Sequence, residues 1–254
     1  MRTQDTTGVK SALRVLDLLE LFSSTSTELK LSEVARQLNM PKSSTFALLN
    51  TLISRGYVED SPAGYRLAER YRISGWVGGP YARLLRVAHP IMVELSGLIR
   101  ESVFIGALNG RNMVQYLDKV ISDEPLRYDA DLSKERYAYA TTIGQVLLAD
   151  WPQEQLEQYL TSQPLTQVTP KTEIDLVRLR EQLARVRELG YAELSDTHKL
   201  GVSGISAPIR GESNRVAAGL CTFGPTQRMM ESWDSHRTQV LRAAGRISAS
   251  LQAG

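Results

Sequence analysis

Between Val9 and Leu67 the apolar positions recur at helical spacing three times and then at strand spacing twice. In Val9 to Phe22, Leu13, Leu16 and Leu19 lie along one side of a predicted helix with Arg14 and Asp17 opposite, and the polar run Ser23 to Thr27 ends it. A second helix starts at Ser32, whose hydroxyl suits it to accept a bond from a first-turn N–H, and it turns Val34, Ala35 and Leu38 inward. Asn39-Met40-Pro41 breaks the pattern, because proline disfavours α conformation at the preceding residue and has φ pre-set for the first position of a new helix. From there Thr45, Leu48, Leu49, Leu52 and Ile53 share one face, which leaves Lys42, Ser43, Phe46, Ala47, Asn50 and Ser54 on the other. Gly56 stops this helix, and Tyr57-Val58 and Tyr65-Arg66-Leu67 read as strands around the turn Ser61-Pro62-Ala63-Gly64. Two short helices meeting at a turn, followed by a hairpin, form the pattern of a winged helix-turn-helix.

Beyond Leu67 the periodicity loosens through Arg70, Arg72 and the turn-rich Gly75 to Pro80, which reads as a domain junction. Tyr81 to Val87 and Ile91 to Arg100 are helical in pattern on either side of Pro90, so a kinked linker helix is expected. Val103 to Leu108 and Met113 to Lys119 are strand-like around the turn Asn109 to Asn112, and Leu126 to Ala130 reads as a further strand. Helices follow at Thr142 to Asp150, Gln153 to Leu160 and Ile174 to Leu189, the last with Leu176, Leu179, Leu183 and Val186 inward. Three strands at Ala192 to Ser195, Ser203 to Pro208 and Val216 to Phe223, and a helix from Ser232 to Leu251, complete an α+β region in which an antiparallel sheet carries helices on one side. The domains predicted are 1–75 (winged helix-turn-helix), 76–100 (linker helix) and 101–254 (sensor).

The outward face of the third helix carries the first candidate chemistry. No Asp or Glu occurs from Val34 to Val58, so nothing there repels phosphate, while Lys42, Ser43 and Ser44 bring a cation, hydroxyls and free N–H groups to the helix start. Lys10, just inside the first helix, is a further phosphate contact, and Arg66 is expected near the hairpin tip. The same elements also occur in domains that only mediate protein contacts.

Composition alters this picture little. Of 254 residues, 42% are hydrophobic and 23% charged, and the length suggests two domains. Thirty basic and 28 acidic residues leave a net charge of only +2, so DNA binding has to rest on local placement. A single cysteine, Cys221, excludes an intramolecular disulfide and any multi-cysteine metal site. The polar start and the lack of a long apolar run give no signal peptide or membrane span, so a cytoplasmic location is expected. His89, His198 and His236 are scattered, and Asp196 and His198 with Cys221 supply none of the activating neighbours that nucleophilic catalysis needs. The reading is of a protein that is not an enzyme and has no cofactor and no metal.

The chain resembles the IclR family of transcriptional regulators over nearly its whole length. The resemblance is carried by ALRVLDLLELF, LSEVARQLNMPKSSTFALLNTL with GYVED, AHPIMVEL, ATTIGQVLLA, TPKTEIDLVRLREQL, RELGYAEL, GVSGISAPI and AAGLCTFGP, in that order. It implies an N-terminal winged helix-turn-helix that binds double-stranded operator DNA, a C-terminal GAF-like domain that binds a small organic acid effector, and a homodimer or homotetramer. The family's recognition helix corresponds to Pro41 to Leu52, so that Lys42, Ser43, Ser44, Thr45, Phe46 and Asn50 become DNA-binding candidates beside Lys10 and Arg66. Phe46 and Ala47 depart from a pair that is often His and Arg. Phe46 offers a thymine methyl an apolar contact instead, while the loss of basic character keeps open a sensor or interaction protein that no longer binds specific DNA.

The effector-binding candidates implied by the resemblance are Thr141, Thr142, Ile143, Gly144, Leu194, Ser203, Gly204, Ser206, Cys221 and Phe223. Leu194, Gly204, Cys221 and Phe223 stand where the family often has an acidic residue, a cysteine and two serines. These exchanges predict a more apolar cavity, suited to an aromatic or larger organic acid. Gln145 replaces a common lysine.

Overall fold

The computed structural model describes residues 9–25, 28–68, 81–162, 164–211 and 213–253. The predicted arm Met1 to Gly8 and the junction at Arg70 to Pro80 lie outside these residues. The chain divides into two compact units, 1–85 and 86–254.

The first unit contains α1 (Lys10–Ser24), α2 (Leu31–Gln37), α3 (Lys42–Ser54), β1 (Val58–Ser61) and β2 (Gly64–Leu67). Its core joins Leu18, Leu19 and Phe22 of α1 to Val34, Met40, Leu49, Leu52, Val58 and Leu67. The helices fall where the pattern predicts, but α1 is rotated from the expected phase: Leu13 and Leu16 are 46% and 52% exposed. Leucines point in several directions around this helix, and the pair Leu18-Leu19 with Phe22 presents the larger contiguous surface for burial. Ser32 is not a cap either. The first turn of α2 is closed two residues earlier, where the Lys30 N–H donates to Glu33 Oε2 at 2.7 Å. Pro41 caps α3 from outside, with ψ 138°, rather than opening it. The hairpin pairs Val58 with Leu67 and Ser61 with Gly64, and Tyr65 adds reciprocal backbone bonds of 3.0 and 2.9 Å with Leu29. A glycine is required at 64, where φ is +146° and a Cβ would stand 2.7 Å from the Leu29 carbonyl oxygen.

The second unit holds most of α4 (Ala82–Ile99), then β3 (Ser102–Leu108), β4 (Met113–Val120), β5 (Glu135–Tyr137), a 3₁₀ turn at Ala138–Ala140, α5 (Thr142–Ala149), α6 (Gln153–Thr161), α7 (Leu176–Leu189), β6 (Ala192–Ser195), β7 (Val202–Arg210), β8 (Val216–Pro225), α8 (Thr226–Glu231) and α9 (Trp233–Gln252). Helix α4 runs unbroken through Pro90. Proline costs a helix interior about 3 kcal/mol, and the buried stripe Ala88, Met92, Leu95 and Ile99 on both sides of it offsets that cost. The six strands form one antiparallel sheet in the order β5-β4-β3-β8-β7-β6.

Both sheet faces are covered, not one. Phe104, Tyr116, Cys221 and Phe223 face a core with Ile143, Leu147, Leu148, Leu179 and Leu183 from α5 and α7. The alternate residues Val103, Ile105 and Leu220 are equally buried on the other face. Helix α9 packs there on β7 and β8, with Ser248 Oγ accepting the Arg210 N–H at 2.9 Å. Leu126 to Ala130 is not a strand: its carbonyls are held by side chains, Leu126 by Arg228 at 2.9 Å and Ala130 by Lys119 at 2.9 Å. Short β5 and α8 carry too few residues to show a period.

Candidate nucleic-acid interface and effector cavity

Helix α3 buries Thr45, Leu49 and Leu52 and exposes Lys42, Ser43, Phe46, Ala47, Asn50 and Ser54, as the spacing predicts. Among the described residues no side chain caps its start, so the first-turn N–H groups of Lys42 and Ser43 face outward beside the lysine and serine side chains. Ser44 is half-buried. Phe46 is 47% exposed, an aromatic ring held on an otherwise small and polar surface. Lys10 is exposed at the start of α1. Thr45 does not belong to this surface: it is fully buried, and its hydroxyl donates to the Pro41 carbonyl at 3.0 Å, a bond that ties the turn to the helix.

Arg66 is placed differently from the expectation. It sits opposite Glu59 across the hairpin, its Nη2 2.9 Å from Glu59 Oε2 and its Nη1 3.6 Å from Glu28 Oε1. The tip is Pro62-Ala63, beside an exposed Asp60. The wing therefore presents a neutralised arginine behind an uncharged tip.

In the second unit a cavity lies between β4, β6, β7, β8 and the start of α5, lined by Tyr116, Tyr128, Thr141, Thr142, Leu194, His198, Lys199, Gly204 and Phe223 among others. Of the predicted effector residues, Thr141, Thr142, Leu194, Gly204 and Phe223 meet at its wall. The other five do not. Ile143 packs under the sheet against Gly106 and Gly219, and Gly144 against Ala138. Ser203 donates its hydroxyl to Thr226 at 2.9 Å. Ser206 and Cys221 lie beneath Thr142, whose Oγ1 accepts from Ser206 at 2.8 Å and lies 3.3 Å from the Cys221 sulfur.

Two departures noted in the sequence turn out to be one. Gly204 and Phe223 are directly paired across β7 and β8, and the Phe223 ring lies where a side chain at 204 would stand. The ring fills the space that the glycine leaves. It packs against Phe104 at 5.6 Å, Tyr128 at 5.5 Å and Tyr116 at 6.2 Å between ring centres. The remaining cavity is about 20 Å³, room for about one water. The apolar exchanges thus close the cavity instead of enlarging it. Gln145 also finds a role, donating to the Tyr139 carbonyl at 2.9 Å and fixing the turn that leads into α5.

The cavity's electrostatics come from residues outside the predicted set. Arg136, on β5, is only 5% exposed, and its guanidinium carbon lies 4.0 Å from the Tyr116 ring centre. Its Nη1 donates to the Lys134 carbonyl at 2.6 Å and its Nη2 to the Asp131 carbonyl at 3.0 Å, while buried Nε has no partner among the described residues. Burial pulls His198 down to about 4, with Arg136 and Lys199 adding to the effect, so its imidazole is neutral near pH 7. Its Nδ1 is buried without a partner among the described residues. Lys199 Nζ lies 5.8 Å from the Tyr128 ring centre. Arg136 sits on a three-residue edge strand, and no periodicity or motif marked it.

Burial raises the Cys221 thiol to about 12 against the opposing hydrogen bonds of Ser206 and Thr142, which leaves it protonated and without an activating base. His236 is buried on α9. Among the described residues no three His, Cys, Asp or Glu side chains could hold a metal ion, and no helix is long and apolar enough to cross a membrane.

Comparison with known proteins matches residues 11–62 to the IclR helix-turn-helix domain and residues 81–249 to the bacterial transcriptional regulator IclR C-terminal domain. The chain is 28% identical to the HTH-type transcriptional regulator XynR of Escherichia coli over 239 residues, covering 93% of this chain and 94% of that one. It is 30% identical to the E. coli regulator KdgR over 247 residues, covering 96% and 93%. The crystal structure of an IclR homolog from Microbacterium hydrocarbonoxydans complexed with 4-hydroxybenzoate superposes with a TM-score of 0.67 at 28% identity, covering 96% of this chain and all of that one.

Proposed function

Because the chain belongs to the IclR family of bacterial transcriptional regulators, with a DNA-binding helix-turn-helix and an effector-binding C-terminal domain, we propose that it senses an aromatic carboxylic acid and controls genes for the catabolism of that acid. The observation that carries the effector class is the wall of three aromatic rings, Tyr116, Tyr128 and Phe223, with Phe104 packed against them, which is joined by His198 and Lys199 and by no acidic side chain among its described lining residues. Aromatic faces bury a ring, and the hydroxyls of Thr141 and Thr142 at the start of α5 orient its polar substituents. The 4-hydroxybenzoate in the Microbacterium homolog supports this class. With about 20 Å³ free, entry of such a ring requires Phe223 to swing off Gly204, so this residue acts as the gate.

On DNA, α3 enters the major groove. Its first-turn N–H groups with Lys42, Ser43 and Ser44 hold phosphate, as does Lys10, while Asn50 and Phe46 read base edges. Operator recognition by a homodimer or homotetramer places two such helices roughly 34 Å apart or a multiple of it. Residues 1–75 form the DNA-reading part, 76–100 the linker and 101–254 the sensor, and the protein works in the cytoplasm. The neutralised Arg66 and the missing basic pair at Phe46 and Ala47 favour one second reading, a sensor without specific DNA binding.

A mobility shift on DNA from upstream of the protein's own coding sequence, repeated with a panel of hydroxylated benzoates including 4-hydroxybenzoate, tests both readings. Sequence-specific retention altered by one of these acids is expected. Retention that is equal on unrelated DNA supports the second reading, and specific retention unmoved by every aromatic acid refutes the effector class.

A further inference from the structure

The residues next to the cavity pose a charge problem. Arg136 is a buried cation that makes two bonds to backbone carbonyls, with no carboxylate in ion-pair distance among the described residues. A guanidinium removed from water and left without a bonded anion is costly, and the Tyr116 ring 4.0 Å away offsets only part of that cost. Lys199 adds a second cation, and His198 is neutral with an unsatisfied ring nitrogen. The nearby acids are committed elsewhere: Asp131 accepts from the Ser133 N–H and hydroxyl, Asp129 from Lys119, Asp196 from Lys171 and the Gly201 N–H, and Glu135 from Arg111 and Asn109. An orphaned Nε on a nearly fully buried arginine, stacked on a ring that lines the cavity, is a donor set built for an anion that arrives from outside.

We propose that Arg136, with His198 and Lys199, forms the carboxylate receptor of the effector cavity, so that the ligand is an aromatic acid held by its anionic group and rejected when that group is neutral. This rests on the aromatic-acid reading of the cavity. Arg136 supplies the charge and the free Nε–H, neutral His198 donates or accepts at Nδ1 according to its tautomer, and Lys199 closes the site from the exposed side. The aromatic rings then accept the ligand's ring once Phe223 has moved.

Titration calorimetry on the full chain, with a panel of benzoates and the matching benzamides, tests the receptor. Amide and acid have nearly the same shape, so their affinity ratio isolates the charge. Wild type should favour an acid over its amide by about tenfold or more. Arg136→Met, which keeps a flexible apolar stem over Tyr116, should bring that ratio close to one while the amide still binds. Should Arg136→Met fail to fold, exposed Lys199→Met serves as the second variant, and it should lower the ratio without weakening the amide. Equal affinity for acid and amide in wild type, or an unchanged ratio in a folded Arg136→Met or, failing that, Lys199→Met, overturns the receptor while leaving the aromatic cavity standing. Failure of wild type to bind any aromatic compound overturns the cavity reading and the receptor together.

Discussion

Replacing Gly204 by alanine should distort the cavity through one ring. An added Cβ at 204 would overlap Cδ1 and Cε1 of Phe223 and make a tight 3.0 Å contact with the Thr222 carbonyl oxygen. Moving the Phe223 ring aside has a packing cost, because Phe104, Tyr116 and Tyr128 surround it at 5.5 to 6.2 Å between ring centres. Overpacking of this kind costs about 1–3 kcal/mol. Phe223→Ala alone empties a buried site, at about 3–5 kcal/mol. In the double variant the new Cβ enters space that the ring has left, so most of the Gly204→Ala cost disappears, and the two changes should couple by about 1–3 kcal/mol. Urea unfolding in a Trp76→Phe background, followed by the fluorescence of Trp151 and Trp233, both in the second unit, reads the coupling from the shift in midpoint at constant slope. A neutral Gly204→Ala, or a double variant whose destabilisation equals the sum of the singles, would refute the view that the two residues replace one another's volume.

Other consequences are equally direct. Phe46→Ala should leave the fold intact, because the ring is half-exposed, and should relax base preference at one thymine-containing position by about 1 kcal/mol; an unchanged selected-site profile contradicts a reading role. Glu59→Gln should remove the nearer of the two carboxylates that hold Arg66, tighten DNA binding and steepen its logarithmic salt dependence by up to about one. If the same gain survives in Glu59→Gln with Arg66→Met, the arginine is not its source. Native Cys221 should resist iodoacetamide at neutral pH. Its thiol titrates near about 8.5 in the unfolded chain and about 12 in the folded one, so above pH 8.5 the unfolded state has lost a proton that the folded state retains. Stability contributed by the protonated thiol is therefore lost as pH rises through that window, by about 1 kcal/mol per pH unit, and the difference between wild type and Cys221→Ala in urea melts at pH 8 and pH 10 measures it. A difference independent of pH would mean that the thiol is accessible.

What could be seen in advance follows from where the deciding interactions lie. The face of α3 was legible because Thr45, Leu49 and Leu52 are the buried set and polar or small residues surround them, which leaves one solution at helical spacing. Helix α1 offered no such contrast. With leucine at 13, 16, 18, 19 and 21 and phenylalanine at 22, apolar side chains point nearly all round, and only the shape of the partner core selects Leu18, Leu19 and Phe22. At Pro90 the local rule points to an interruption, and the buried stripe contributed by distant packing keeps one helix running through it. At the cavity, the unusual Gly204 and Phe223 were both visible in the sequence. That they face each other depends on the register of β7 with β8, which no local pattern states. Arg136 lies further from view, since its importance comes from the absence of a partner and from the ring of Tyr116 brought to it by strand pairing.

The central claim is that one molecule couples an acid-binding cavity to an operator-reading helix. It is tested most directly by measuring both affinities in both states: fluorescence anisotropy of labelled operator with and without saturating aromatic acid, and calorimetry of the acid with and without saturating operator. Linkage requires the two ratios to be equal, and a working regulator should show a factor of about 5–150. Equal ratios in that range are the predicted result. An acid that binds well yet leaves operator affinity unchanged, with its own affinity unchanged by operator, would contradict the account.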